Sequence, residues 1–208
     1  MRGVHAGAIF LCAVIGLMAP VAGAAAESVS DIQQRLLKSD MLRAEFFQEK
    51  NLRVLSRPLE SHGKLLFKAG TGVLWQIEGP YTAIILMKSD EIIEWDSAGE
   101  MRRTATGSNP GFRAFGEIIL AILSGDTELL GQHFELTPIA ADKGWQLRLQ
   151  PKSTELSAMV SSILVFGDRF VEEVRISETK GDTTKLQFSE FTVGPFELNE
   201  IEKSHLGQ

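Results

Sequence analysis

The sequence contains one cysteine, Cys12, and it lies in an amino-terminal apolar run rather than in the body of the chain. The remaining residues can therefore form neither a disulfide nor a thiolate metal site. Histidine is scarce: His5, His62, His133 and His205 show no metal-ligand spacing. Positive charge is not in excess, with 21 Lys and Arg against 27 Asp and Glu and a net charge of −6. That balance argues against nucleic acid and against electrostatic capture by an anionic membrane. Ser124 sits in Leu-Ser-Gly, not in a nucleophile elbow, and Gly70-Thr71-Gly72 is too short for a phosphate loop. There is no internal repeat and, after the first 26 residues, no low-complexity segment.

What is present begins with MRGVHAGAIFLCAVIGLMAPVAGAAAES. One arginine, an apolar run from Ala8 to Met18, Pro20 and the small residues Ala24–Ala26 resemble a secretory signal peptide, expected to span 1–26. The apolar run is shorter than the roughly 20 residues a spanning helix needs. Cys12 follows Leu11 inside that run, which does not fit a lipid-modified amino terminus. The expected mature chain, 27–208, has a net charge of −7 once Arg2 is removed from the total of −6. Its length suits one domain with a sizeable core, and its stability must come from burial.

Ser28 or Ser30 can cap a helix over Asp31–Ser39 that carries Ile32, Leu36 and Leu37 on one face. Leu42–Leu55 alternates imperfectly and reads as a long strand bent near Phe47, with polar Gln48 and Lys50 on the Phe46 face. Arg57-Pro58 ends it. Four short runs follow, Lys64–Lys68, Val73–Glu78, Thr82–Lys88 and Glu91–Asp96, separated by glycine, proline or charged turns: an antiparallel meander. Leu65 and Phe67, then Val73, Trp75 and Ile77, recur with a period of two and face a common interior. Met101–Thr106 adds a short polar strand. Phe112–Leu123 reads as a helix with Phe112, Phe115, Ile118, Ile119 and Ile122 on a wide apolar stripe, and Glu128–Leu130 as a shorter one closed by Gly131. Strands resume over Phe134–Ile139, Trp145–Gln150, Met159–Phe166, Phe170–Glu178 and Thr184–Val193. Ten or eleven strands in one antiparallel sheet must curl, so the expected fold is mainly β, a half-open barrel with helices as lid or plug.

The acidic group Asp90, Glu91, Glu94 and Asp96 is the strongest candidate for acid–base or calcium chemistry, since Glu94 and Asp96 would share one side of a strand. Its plainer interpretation is a solvated hairpin. The apolar helix can be an ordinary core helix or the lid of a lipid cavity. Trp75, Phe67 and Leu65 can fill the sheet interior or line a hollow one; residue type alone separates neither pair.

Phe46-Phe47-Gln48-Glu49-Lys50, then Gly63-Lys64-Leu65-Leu66-Phe67, Trp75, Pro80, and Ser89-Asp90 before Trp95 resemble, in order and spacing, the family of the periplasmic lipoprotein carrier LolA. The match covers roughly Leu42–Glu100. The resemblance implies a half-open barrel, lidded by helices, enclosing a cavity for the acyl chains of a lipoprotein. By that resemblance Phe46, Leu65, Phe67, Val73, Trp75, Ile77 and Trp95 would line the cavity, and Phe112, Phe115, Ile118, Ile119 and Ile122 would form the lid. It further implies a monomer in the periplasm with an inner-membrane donor, an outer-membrane receiver, no cofactor, no metal and no enzymatic reaction. Two features depart from the pattern. The arginine that helps such carriers hold the lid closed is matched by Ala69, and the further strand and loop beyond the last long strand are missing. These departures leave room for another acylated or polyene-like lipid, or for a lipid-sensing or scaffold module that binds a protein partner without transferring cargo.

Overall fold

The computed structural model describes residues 27–105, 118 and 120–207. The expected signal peptide, and Phe112, Phe115 and Ile119 of the expected lid, lie outside the described residues. The strands are β1 (Met41–Asn51), β2 (Leu59–Lys68), β3 (Gly72–Gly79), β4 (Ala83–Met87), β5 (Glu91–Trp95) and β6 (Met101–Ala105), followed by β7 (Phe134–Ile139), β8 (Trp145–Pro151), β9 (Val160–Gly167), β10 (Val171–Glu178) and β11 (Thr183–Val193). The helices are α1 (Val29–Arg35), the helical turn α2 (120–124), α3 (Thr127–His133), α4 (Thr154–Ser157) and α5 (Glu200–Leu206).

All eleven strands join one antiparallel sheet in the order β6-β5-β4-β3-β2-β1-β11-β10-β9-β8-β7. Two meanders, β1–β6 and β7–β11, meet at the β1–β11 pair. The connection from β6 to β7 includes α2 and α3. Among the described residues the sheet does not close, because β6 and β7 have no partner there on their outer edges. It does curl. Residues of β5 and β9, seven strand steps apart, line one cleft, although a flat sheet would hold them about 34 Å apart at the usual interstrand spacing. The expected half-open barrel is therefore present.

The inner face carries one large core. Phe46, Leu65, Phe67, Val73 and Trp75 from the first meander pack with Trp145, Leu149, Ile163 and Val174 from the second. Ile118, Ala121 and Ile122, with Leu130 of α3, complete this core. The strand expected to bend near Phe47 runs on without interruption there: Phe47 pairs with both His62 and Gln187. The irregularity lies earlier, between Arg43 and Glu45 against β11.

Helix boundaries follow from their caps. Ser28 begins α1 with a capping box: its hydroxyl accepts from the Asp31 amide at 3.2 Å, while the Asp31 carboxylate accepts from the Ser28 amide at 3.1 Å. Asp126 caps α3 by accepting from the Leu129 amide at 2.9 Å. The helix passes through Gly131 instead of ending there, and closes when the Phe134 amide donates to Leu130.

A second apolar layer, unforeseen in the sequence, covers the outer face of the first meander. Leu66, Leu74, Leu86 and Ile93 are direct cross-strand neighbours on β2, β3, β4 and β5. They form a separate buried cluster, with Leu86 and Ile93 fully inaccessible. Phe196 and Leu198 from the tail and Leu206 from α5 pack over that row. Arg43 on β1 fastens the layer: its Nε and one Nη donate to the two carboxylate oxygens of Glu202 at 2.8 and 2.7 Å, and its guanidinium lies 4.1 Å over the Phe196 ring. The outer face of the second meander is instead polar, with Glu173 between Arg175 and Lys185.

Candidate functional site

The inner face is not filled along its whole length. Toward the end formed by the β1–β2 loop and the β3–β4 turn, a cleft of about 420 Å³ separates the two meanders. Trp75 and Ile77 of β3, Ile85 and Met87 of β4 and Ile92 of β5 make one wall. Ile176 of β10, Leu186 of β11 and Val160 of β9 make the other. Tyr81 and Met159, both largely exposed, stand at the mouth. A concave, mostly apolar site of this volume, with a few polar groups, is the usual form of a small-ligand pocket.

Local geometry explains how Trp75 reaches the cleft. Gly63 is the cross-strand partner of Phe46 and meets β3 at a register irregularity beside Ile77. A Cβ at Gly63 would come within 2.0 Å of the Gln76 carbonyl oxygen, so only glycine allows β2 and β3 this close an approach. The Phe46 ring then packs 4.7 Å from Trp75, and Phe188 meets the same indole edge-on at 6.2 Å. Such aromatic contacts fix the floor of the cleft.

The residues expected to line a cavity thus divide. Trp75 and Ile77 do line the cleft. Phe46, Leu65, Phe67 and Val73 face the same interior but are packed in the core beneath it. Trp95 lies on the opposite face, in the outer layer, 4.6 Å from the His205 ring. The reason is the strand period: Ile92 and Glu94 point inward, so Ile93 and Trp95 must point outward. Among the lid residues, Ile118 and Ile122 are buried in the inner core, and no described residue of α2 lines the cleft. Ala69 is exposed at the turn after β2, away from the cleft.

The acidic group separates as well. Glu91 pairs with Lys88 at 3.0 Å and Arg103 at 3.2 Å, and the hydrogen bond from the Lys88 ammonium, with a smaller contribution from Arg103, holds its carboxyl below the ordinary carboxylate range. Glu94 faces the cleft. Asp96 leaves the strand and caps the following turn, accepting from the amides of Ala98 at 2.9 Å and Glu100 at 3.0 Å. Glu94 and Asp96 therefore do not form an acid–base pair. Among the described residues no group of three or more His, Cys, Asp or Glu could hold a metal, and no helix is long and apolar enough to cross a membrane.

The site residues missed in the sequence include the apolar wall residues Ile85, Met87, Ile92, Ile176 and Leu186, and also Gln48, Lys50, Glu178 and Thr184, which bring polar groups to the cleft mouth. The unusual polar positions on the Phe46 face of β1 were the available signal; their partners on β10 and β11 become visible only through strand pairing.

A model of the family described as "Outer membrane lipoprotein carrier protein LolA-like" matches residues 21–194. The chain belongs to this LolA-like family. Among solved structures, the LolA-like chain resembles a DUF1329 family protein from Desulfovibrio piger at 11% identity and a TM-score of 0.50, covering 86% of this chain and 95% of that one. A LolA superfamily protein from Nitrosomonas europaea aligns at 10% identity and a TM-score of 0.45, covering 83% and 96% of the two chains. At 11% identity the likeness to the Desulfovibrio piger protein concerns the fold. No curated protein matches the LolA-like chain significantly in sequence.

Proposed function

We propose that this protein is a periplasmic carrier that takes an acyl chain of a lipoprotein or related lipid into the inner cleft and hands it toward the outer membrane. The observation that carries this reading is the apolar cleft of about 420 Å³, left open between the two meanders above a shared packed core. Family membership and the signal-peptide-like amino terminus agree with it. No covalent chemistry is needed. Each buried methylene stabilises the complex by about 0.8 kcal/mol, so release requires a competing process. The apolar segment that contains Ile118 and Ile122 supplies one if it leaves the inner core when cargo enters and returns when cargo departs. A monomer would receive cargo from an inner-membrane donor and yield it to an outer-membrane receiver of higher affinity.

The test is native mass spectrometry of the full chain isolated from its own periplasm, with any ligand extracted and identified. A stoichiometric acylated species is expected. Ile176→Trp, which adds an indole to the cleft wall, should preserve the far-ultraviolet circular dichroism spectrum and abolish loading. A clean apo mass that persists under added lipid would refute the carrier function and favour a protein-binding scaffold.

A further inference from the structure

The inward positions change character along the cleft in the same direction on four strands. On β1 they run Phe46, Gln48, Lys50; on β11 Leu186, Thr184; on β10 Val174, Ile176, Glu178; and on β5 Ile92, Glu94. The register places Lys50 opposite Thr184 and Thr184 opposite Ile176, with Glu178 one inward step further along β10, while Glu94 reaches the same cleft from β5. Apolar groups occupy the floor and polar groups the mouth. A purely apolar chain offers nothing to the donors and acceptors that these polar side chains present at the mouth.

The two rims of the mouth differ in chemistry. On one, Lys50 Nζ lies 3.2 Å from Glu178 Oε1, beside the Gln48 amide and the Thr184 hydroxyl. This rim presents hydrogen-bond donors around a charge that is already balanced. Across the cleft, Glu94 offers a carboxylate whose partner Arg102 is 4.0 Å away and mostly in solvent. An anionic head would have to draw Lys50 from Glu178 and face Glu94. A purely cationic head would suit Glu94 and leave the opposite donors unfilled. A head with both charges can satisfy both rims.

Building on the carrier function proposed above, we infer that the cleft takes a single-chain amphiphile with a zwitterionic head, its chain toward Trp75 and its head between Glu94 and the Lys50–Gln48–Thr184 rim. The cationic end of the head meets Glu94, and its oxygens take the donors of Lys50 and Gln48. The volume of about 420 Å³ lies toward the lower end of small-ligand pockets. It suits one chain better than several.

The purified full chain should be titrated, below each critical micelle concentration, with 16-carbon lysophosphatidylethanolamine, palmitate and hexadecylamine. Versions brominated near the chain end report depth through quenching of Trp75, with Trp75→Phe as the control. The zwitterion should bind at least about fivefold more tightly than either singly charged probe, and Glu94→Gln or Lys50→Gln should each weaken it by about fivefold, the scale of a half-exposed charge contact. Palmitate should be unaffected or strengthened by Glu94→Gln. Equal binding of all three probes, or unchanged selectivity in both variants, overturns the head-group assignment while leaving the carrier function intact. Failure of every probe to bind overturns both.

Discussion

Replacing Arg43 with methionine tests whether the outer layer is a structural part of the fold. Glu202 retains only 6% of its side-chain exposure, and its carboxylate is held by two bonds from Arg43 and one from the Asn199 amide at 2.8 Å. Arg43→Met keeps the aliphatic contact with the sheet but leaves a buried carboxylate without its counter-charge. Breaking a buried pair from one side costs about 3–5 kcal/mol, and the lower end applies because the arginine is partly solvated. For a domain of this size about 3 kcal/mol corresponds to a Tm decrease of roughly 6–12 °C.

The assay is urea unfolding followed by far-ultraviolet circular dichroism at constant pH, on Arg43→Met, Glu202→Gln and the double variant. Glutamine preserves the N3 side chain that completes the capping box with Asn199. The double variant should recover about 2 kcal/mol relative to the sum of the single losses, since residues in one ionic network couple strongly. Lipid loading should survive in all three, because this pair sits on the face opposite the cleft. A loss below about 1 kcal/mol in Arg43→Met, together with additivity, would mean that the contact behaves as a surface ion pair, and the two-layer reasoning would fail.

Three further perturbations probe separate links in the structure. Leu86→Ala, at a fully buried outer position, should cost about 2–4 kcal/mol in the same unfolding assay. Gly72→Ala should lower stability by at least about 2 kcal/mol, because Gly72 has φ +137° and a Cβ there would lie 2.1 Å from the Met87 carbonyl oxygen. Lys88 and Arg103 hold the Glu91 carboxyl below its ordinary value. Its contribution to stability is therefore complete above the unfolded value of about pH 4.3 and disappears as acid titrates through the lower folded value. Glu91→Gln should flatten that acid limb and leave the alkaline side unchanged, as read from urea midpoints across a pH series.

The sheet was legible in the sequence wherever one alternation governed a strand. Val73, Trp75 and Ile77 set the inner face of β3, and all five late strands lie within a residue or so of their expected bounds. The outer layer was not legible, because Leu66, Leu74, Leu86 and Ile93 occupy the opposite phase and make the strands look apolar throughout. A run buried on both faces has lost its period-two signature. The signal was nevertheless there: four apolar residues out of phase on four successive strands require a cover, and the tail with Phe196, Leu198 and Leu206 provides it. The same reasoning applies in reverse to the cleft. Gln48 and Lys50 break the apolar phase of β1, yet their meaning depends on which strand lies beside them. Once β11 pairs with β1, Lys50 stands opposite Thr184 and within an ion pair's reach of Glu178 on β10. What looked like an imperfect strand is the polar end of a graded surface. A cargo that is apolar along its whole length would leave that end without a use.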